Sequence, residues 1–244
     1  MTHFLTNRTA LVTGSTRGLG RLLAQTLAGW GAAVAVHGRA PSAAGDELVC
    51  EIAASGGRAI FCPGDLRDAT AAARIASSVA EALGPIDILI NCASRFILDP
   101  VDQVTPAEWG DVLQTTLTGT FHMTHAALPQ MRGRGWGRII NFGCVGCDHV
   151  FGGVGAVPYR IAASGNLSLT RAYARQLFSD GITVNLIAPG HMENTVSPPP
   201  LVQLPAGRLS QLAEILPTVR FLLSDESAHM SGAILNVAGG YGVA

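Results

Sequence analysis

Apolar positions fall into blocks of two lengths along this chain. Short runs rich in apolar and β-branched residues occur at 9–12, 32–37, 58–62, 86–91, 138–143, 182–187 and 233–237. Each predicts a strand. Longer stretches with apolar residues at helical spacing stand between them, at 21–30, 46–55, 69–83, 106–131, 160–180 and 208–224. Thr105 is placed to cap the helix that Pro106 opens, since proline suits the first helical position. Strands that alternate with helices predict an α/β fold, a doubly wound parallel sheet of seven strands with helices on both faces. The proline-rich segment 196–205 reads as a short lid over one edge, within a loop of about 191–207. No internal repeat or linker interrupts the pattern, so residues 1–244 read as one domain.

Composition changes this picture in a few places. No segment approaches the ~18 apolar residues of a membrane span, and the start Met1-Thr2-His3-Phe4-Leu5 has no basic, then apolar, signal pattern. A formal charge of −1 gives no electrostatic case for nucleic acid. Five cysteines (Cys50, Cys62, Cys92, Cys144 and Cys147) cannot all pair within one chain, and reduced thiols in a cytoplasm are the expectation. All 16 basic residues are arginine. The chain therefore has no lysine for Schiff-base or ammonium chemistry.

The first strand leads into Thr13-Gly14-Ser15-Thr16-Arg17-Gly18-Leu19-Gly20 and then a helix. Glycines there let the main chain turn tightly and approach a ligand. The helix start offers free N–H groups and a positive dipole end, so strand, turn and helix together read as a phosphate cradle. The end of the second strand, where a dinucleotide fold meets the adenosine ribose, carries no acidic residue but has Arg39. With Arg17 it suits a 2′-phosphate, which favours NADP(H). The alternative is a pair of solvated surface arginines.

The spacing of that turn, T-G-x-x-x-G-x-G, resembles the short-chain dehydrogenase/reductase family, and further matches run along almost the whole chain, in a classical type that resembles the 3-oxoacyl-ACP reductases. The resemblance implies a Rossmann fold and a dinucleotide bound by Gly14, Ser15, Thr16, Arg17, Gly18, Leu19 and Gly20, then by Arg39, Asp65, Leu66, Asn91, Ala93, Tyr159, Pro189, Gly190 and Met192. Asp65 takes the adenine-contacting place, and its bland alternative is an N-cap for the helix at 69–83. Asn91-Cys92-Ala93-Ser94 stands where the family has N-N-A-G, and Ser94 for glycine crowds the nicotinamide side. Asn194 holds the offset of the carboxamide-binding threonine, with Thr195 one later. His122 and His125 on the long helix read as surface or interface side chains rather than ligands.

The family's catalytic tyrosine is matched by Tyr159. Its serine, lysine and asparagine are replaced by Cys144, Ala163 and Thr116. Arg160 does not simply replace the lysine, because adjacent helical positions point about 100° apart. Three functions remain open. The first is a carbonyl reductase, with Tyr159 as acid. The second is a non-redox enzyme of the same fold, a dehydratase, isomerase or cyclase using Tyr159 and Cys144. The third is a catalytically inactive partner subunit. Cys144, Cys147 and His149 offer a redox pair or three zinc ligands, but small residues exchanged within a tight loop explain them as well, and no metal is expected. The partner is a small-molecule substrate. A homodimer or homotetramer is implied through the helices at 106–131 and 160–180, where Ala162, Ala163, Ser164 and Gly165 allow close packing.

Overall fold

The computed structural model describes residues 3–150 and 152–242. Met1 and Thr2 of the start considered above lie outside them. Seven parallel strands form one sheet: β1 (Thr9–Val12), β2 (Ala33–Gly38), β3 (Arg58–Pro63), β4 (Ile88–Asn91), β5 (Gly137–Phe142), β6 (Ile182–Pro189) and β7 (Ile234–Val237), ordered β3-β2-β1-β4-β5-β6-β7. Successive strands are parallel, so each connection must cross a face of the sheet, and helices do so. The strand order reverses between β1 and β4. That break opens a crevice at the carboxyl ends of the strands, where such sheets bind ligands.

Two apolar layers hold the sheet. Leu23, Leu27, Val34, Ile90, Ile187 and Val219 pack on one face, and Leu11, Leu89, Met123, Ile139, Val184 and Leu177 on the other. Helices α1 (Gly18–Gly29), α2 (Ala43–Ala54) and α3 (Ala69–Leu83) follow the first three strands. Asp68, not Asp65, caps α3, its carboxylate accepting from the Thr70 N–H at 2.8 Å.

Helices α1 and α2 begin three residues before the positions the sequence pattern gives them, and three later helices differ as well. The stretch 106–131 is α4 (Pro106–Leu113), one π turn (Gln114–Thr118) and α5 (Gly119–Met131). Thr105 does cap it, in a reciprocal pair with Glu108. Helix α6 (Val157–Leu177) begins before Tyr159, because Pro158 fits its first turn. The stretch 208–224 becomes a helix only at its end, as a 3₁₀ turn (Leu212–Ile215) and α7 (Leu216–Leu223). Ahead of it, Met192 and Ser210 form a bridge that ties the loop to the end of β6.

The small residues of α6 are used inside the chain. Ala162 and Ala163 are wholly buried, a Cβ on Gly165 would meet Leu117 of the π turn at 2.8 Å, and Ser164 Oγ donates to the Cys147 carbonyl at 2.7 Å. Ala162 and Ala163 are thereby spent inside the chain, while Ser164 and Gly165 stay half-buried. Among the described residues no helix is long and apolar enough to cross a membrane.

Candidate functional site

The turn after β1 is shaped by its glycines. Gly14 and Gly18 have φ of +65° and +54°. A Cβ on Gly14 would stand 2.8 Å from Ala93 Cα, and one on Gly20 would run into the Gly14 carbonyl. Thr13 Oγ1 accepts from the N–H groups of Cys92 and Ala93, both at 3.0 Å, clamping the end of β4 to the turn. Ser15 is fully buried. Its hydroxyl accepts from the His37 N–H at 2.8 Å and donates to the Val12 carbonyl at 2.7 Å, so it braces the turn and does not face a ligand. The start of α1 has no side-chain cap and no acidic residue in its first turn, and exposed Arg17 is its N-cap residue. These features fit a bound pyrophosphate.

His37 is a residue the sequence pattern did not single out. Its Nδ1 accepts from the Gly14 N–H at 3.1 Å and its Nε2–H donates to the Gly64 carbonyl at 2.9 Å. Both bonds require the neutral ring, and burial lowers its pKa. One polar residue inside an apolar strand was the available signal.

At the adenosine end, Arg39 and Asp65 come together rather than standing apart. Arg39 Nε donates to Asp65 Oδ2 at 3.1 Å. Arg67, also missed, bonds the same carboxylate at 2.6–3.0 Å and reaches Asp111 Oδ1 at 2.6 Å. Those Arg67 hydrogen bonds hold the Asp65 pKa down to about 2. The Leu66 carbonyl is occupied by His122 Nδ1–H at 2.9 Å. Phe121 stacks on His125 along the outer side of α5.

Several other predicted contacts are internal. The Asn91 amide donates to Asn141 Oδ1 (2.8 Å) and Thr124 Oγ1 (3.1 Å), linking β4 to β5 and α5. Thr116 is buried in the π turn, and its hydroxyl accepts from the Arg95 N–H at 3.1 Å. It therefore positions the loop after β4. Ser94 is exposed at the start of that loop. Gly190 lies so close to β7 that a Cβ would meet Ala238 Cα at 2.8 Å. Pro189 accepts from Val145 N–H, and Met192 N–H donates to Thr195 Oγ1 at 2.8 Å. Asn194 overhangs the glycine turn, its amide nitrogen 3.2 Å from where a Gly18 Cβ would stand.

The chemistry end collects residues from β5, β6 and α6. Tyr159 is half-buried, its hydroxyl 3.4 Å from the Gly143 carbonyl and its ring edge-on to Phe96 at 5.2 Å. Burial raises its pKa above the ordinary phenol value. Burial likewise pushes the Cys144 thiol up to about 12. Arg160 acts on Tyr159, Cys144 and His191 through space, but burial outweighs it at the first two. Ala163 lies in an apolar cluster with Cys147, Leu167, Leu186 and Ala188. Cys144 and Cys147 are free thiols, and no group of three metal-ligating side chains forms among the described residues.

A doubly wound sheet with a glycine cradle at its switch point is a dinucleotide-binding architecture. Residues 8–199 match the family model for short chain dehydrogenases, and the chain belongs to that family. It is 35% identical over 243 residues to an acetoacetyl-CoA reductase of Rhizobium meliloti, covering 96% of this chain and 98% of that protein. To the 3-oxoacyl-(acyl-carrier-protein) reductase of Escherichia coli it is 34% identical over 239 residues, covering 95% and 96%. A blue fluorescent protein from a metagenomic library, solved in complex with NADPH, superposes with a TM-score of 0.89 at 29% identity, covering 98% of this chain and 99% of that one.

Proposed function

We propose that this chain is an NADP(H)-dependent oxidoreductase that reduces a carbonyl compound, with Tyr159 as the proton donor. The glycine cradle, Arg17 and Arg39 would hold the dinucleotide, which supplies hydride when bound. Tyr159 would give its phenolic proton to the carbonyl oxygen as the carbonyl is reduced to an alcohol, which leaves a transient tyrosinate. The carrying observation is the placement of Tyr159: half-buried against Phe96, its hydroxyl stands 3.4 Å from the Gly143 carbonyl after β5, and burial keeps the phenol in its acid form. An acid in that state suits reduction and is poorly suited to the reverse, which needs tyrosinate as base. Names of relatives support a 3-oxoacyl thioester as the substrate class, and the NADPH complex of a structural neighbour supports the cofactor.

Cys144 is a weak hydrogen-bond donor in the serine position. As a nucleophile it is weaker still: a thiol pKa of about 12 leaves roughly one thiolate in 10⁵ at pH 7. A non-redox reaction through Cys144 therefore has little support. The inactive-subunit reading is favoured by one observation, the apolar packing around Ala163. Exposed Phe121 and Ile161 are suited to an interface between copies of the chain, and we place such a homo-oligomer in the cytoplasm.

NADPH oxidation followed with acetoacetyl-CoA and longer 3-oxoacyl thioesters separates these readings. Turnover abolished by Tyr159→Phe supports the reductase. A folded chain that binds NADPH, reduces nothing and copurifies with an active homologue establishes the inactive subunit.

A further inference from the structure

Five charged side chains from four segments meet beside the crevice: Arg39 after β2, Asp65 and Arg67 after β3, Arg95 after β4, and Asp111 on α4. Asp65, Arg67 and Asp111 line an open cavity of about 430 Å³, with Gly110 beside them. The members are not held equally. Arg67 engages both oxygens of Asp65 through its side chain and also donates its main-chain N–H to Asp65 Oδ1 at 3.1 Å. Its other arm holds Asp111 at 2.6 Å. Arg39 makes one 3.1 Å bond to Asp65 and stands 3.9 Å from Asp111, and its side chain is 59% exposed against 33% for Arg67.

We propose that Arg67, without touching the ligand, sets the preference for a dinucleotide bearing a 2′-phosphate by keeping Arg39 available to bind it. The inference rests on the NADP(H) reading above and adds a positioning residue to it. The physical reason is competition for charge. Arg67 satisfies both carboxylates, so the cluster of three guanidiniums and two carboxylates carries one surplus positive charge, shared by Arg39 and by Arg95, whose Nε stands 3.5 Å from Asp111 Oδ2. Without Arg67, Asp65 and Asp111 face only Arg39 and Arg95. The surplus disappears and Arg39 becomes the arginine partner of Asp65, with Arg95 nearer to Asp111, so a phosphate must compete with the Asp65 carboxylate for Arg39. Removing the charge of Asp111 has the opposite effect: the surplus rises, and Arg67 turns wholly to Asp65.

The test is calorimetric titration of the full chain and two variants with NADPH and NADH, at low and high salt, with fold checked by circular dichroism. Exposed ion pairs shift affinities modestly, so Arg67→Gln should reduce the NADPH-over-NADH preference by roughly 5-fold and Asp111→Asn should raise it by roughly 3-fold. Both changes should shrink at high salt. Variants of opposite sign guard against misfolding, which cannot increase affinity; if Arg67→Gln does not fold, Asp111→Asn decides. A wild-type preference for NADPH that neither variant moves, or that Asp111→Asn lowers, overturns the role of Arg67 and leaves the cofactor reading standing. Equal wild-type affinity for the two dinucleotides overturns both.

Discussion

The Asn166 side-chain amide donates to the main-chain carbonyl of Thr116 at 3.1 Å, joining α6 to the π turn between α4 and α5. A π turn breaks the regular i to i−4 ladder and releases carbonyls for other partners. Asn166 and Thr120 Oγ1 take that of Thr116. The Thr116 hydroxyl then fixes Arg95, whose neighbour Phe96 rests on Tyr159. The segment that the sequence presents as a place for a catalytic polar residue is thus a buried brace behind the tyrosine.

That brace has one unmet group, Asn166 Oδ1, which is buried without a partner. Asn166→Leu removes this orphan and adds apolar volume, while the Thr116 carbonyl keeps its bond from Thr120. The gain and the lost bond should nearly cancel, leaving stability within about 1 kcal/mol of wild type. Asn166→Ala loses the bond and leaves a void, and should cost about 2–3 kcal/mol. Urea denaturation measures both. A Leu variant as damaged as the Ala variant would mean that a bound water completes Asn166.

His37 should make the chain acid-sensitive. Unfolded, a histidine takes up its proton near pH 6.5, about its ordinary value. Buried in the fold, His37 resists protonation until the pH is lower. Between those two points the unfolded state binds more protons, so stability is full above about pH 6.5 and declines as pH falls. His37→Gln keeps a donor and an acceptor but does not titrate. Its melting temperature should fall less between pH 7 and 5.5 than that of wild type. Superimposable pH slopes for the two proteins would remove His37 from this role.

The seven strands, their order of appearance and the glycine turn were legible in the sequence because both rest on local signals. Alternating blocks report burial, and a glycine spacing reports backbone angles. Strand ends moved by no more than two residues. What stayed hidden depended on contacts distant in sequence. Arg67 and Asp111 are 44 residues apart, and His37 reaches back 23 residues to Gly14. The π turn was invisible because its residues, Gln114–Thr118, read like any helical stretch. Asp65 was expected to cap a helix or, from the family resemblance, to contact adenine, and its carboxylate instead meets two arginines, Arg39 and Arg67.

Tyr159 gives the proposed reaction a direction-dependent pH profile. The acid form persists to high pH, so kcat/KM for thioester reduction should stay flat from pH 6 to 9. In the alcohol-oxidation direction the rate depends on scarce tyrosinate and should rise about 10-fold per pH unit across the same range. Initial rates in both directions check this. A reductive rate that falls below pH 9 would mean that bound dinucleotide lowers the phenol pKa, as an added cation would.

Placing an ammonium at position 163 is the most demanding test of the reductase proposal. Ala163 is wholly buried against Cys147, Leu167, Leu186 and Ala188. A lysine there adds volume to a packed cluster, costing about 1–3 kcal/mol, and its ammonium needs a polar partner. Ala163→Lys with Cys144→Ser should therefore melt about 2–12 °C below wild type without ligand. NADPH should recover more of that loss than it adds to wild type, because ribose hydroxyls would give the ammonium its partner. If the chain is a reductase that lacks only these groups, turnover of acetoacetyl-CoA should rise by about 10-fold or more, and adding Tyr159→Phe should abolish the gain. A double variant that folds and binds NADPH but gains no turnover would show that the apolar cluster, not the missing side chains, keeps the site silent. The inactive-subunit reading would then replace the reductase.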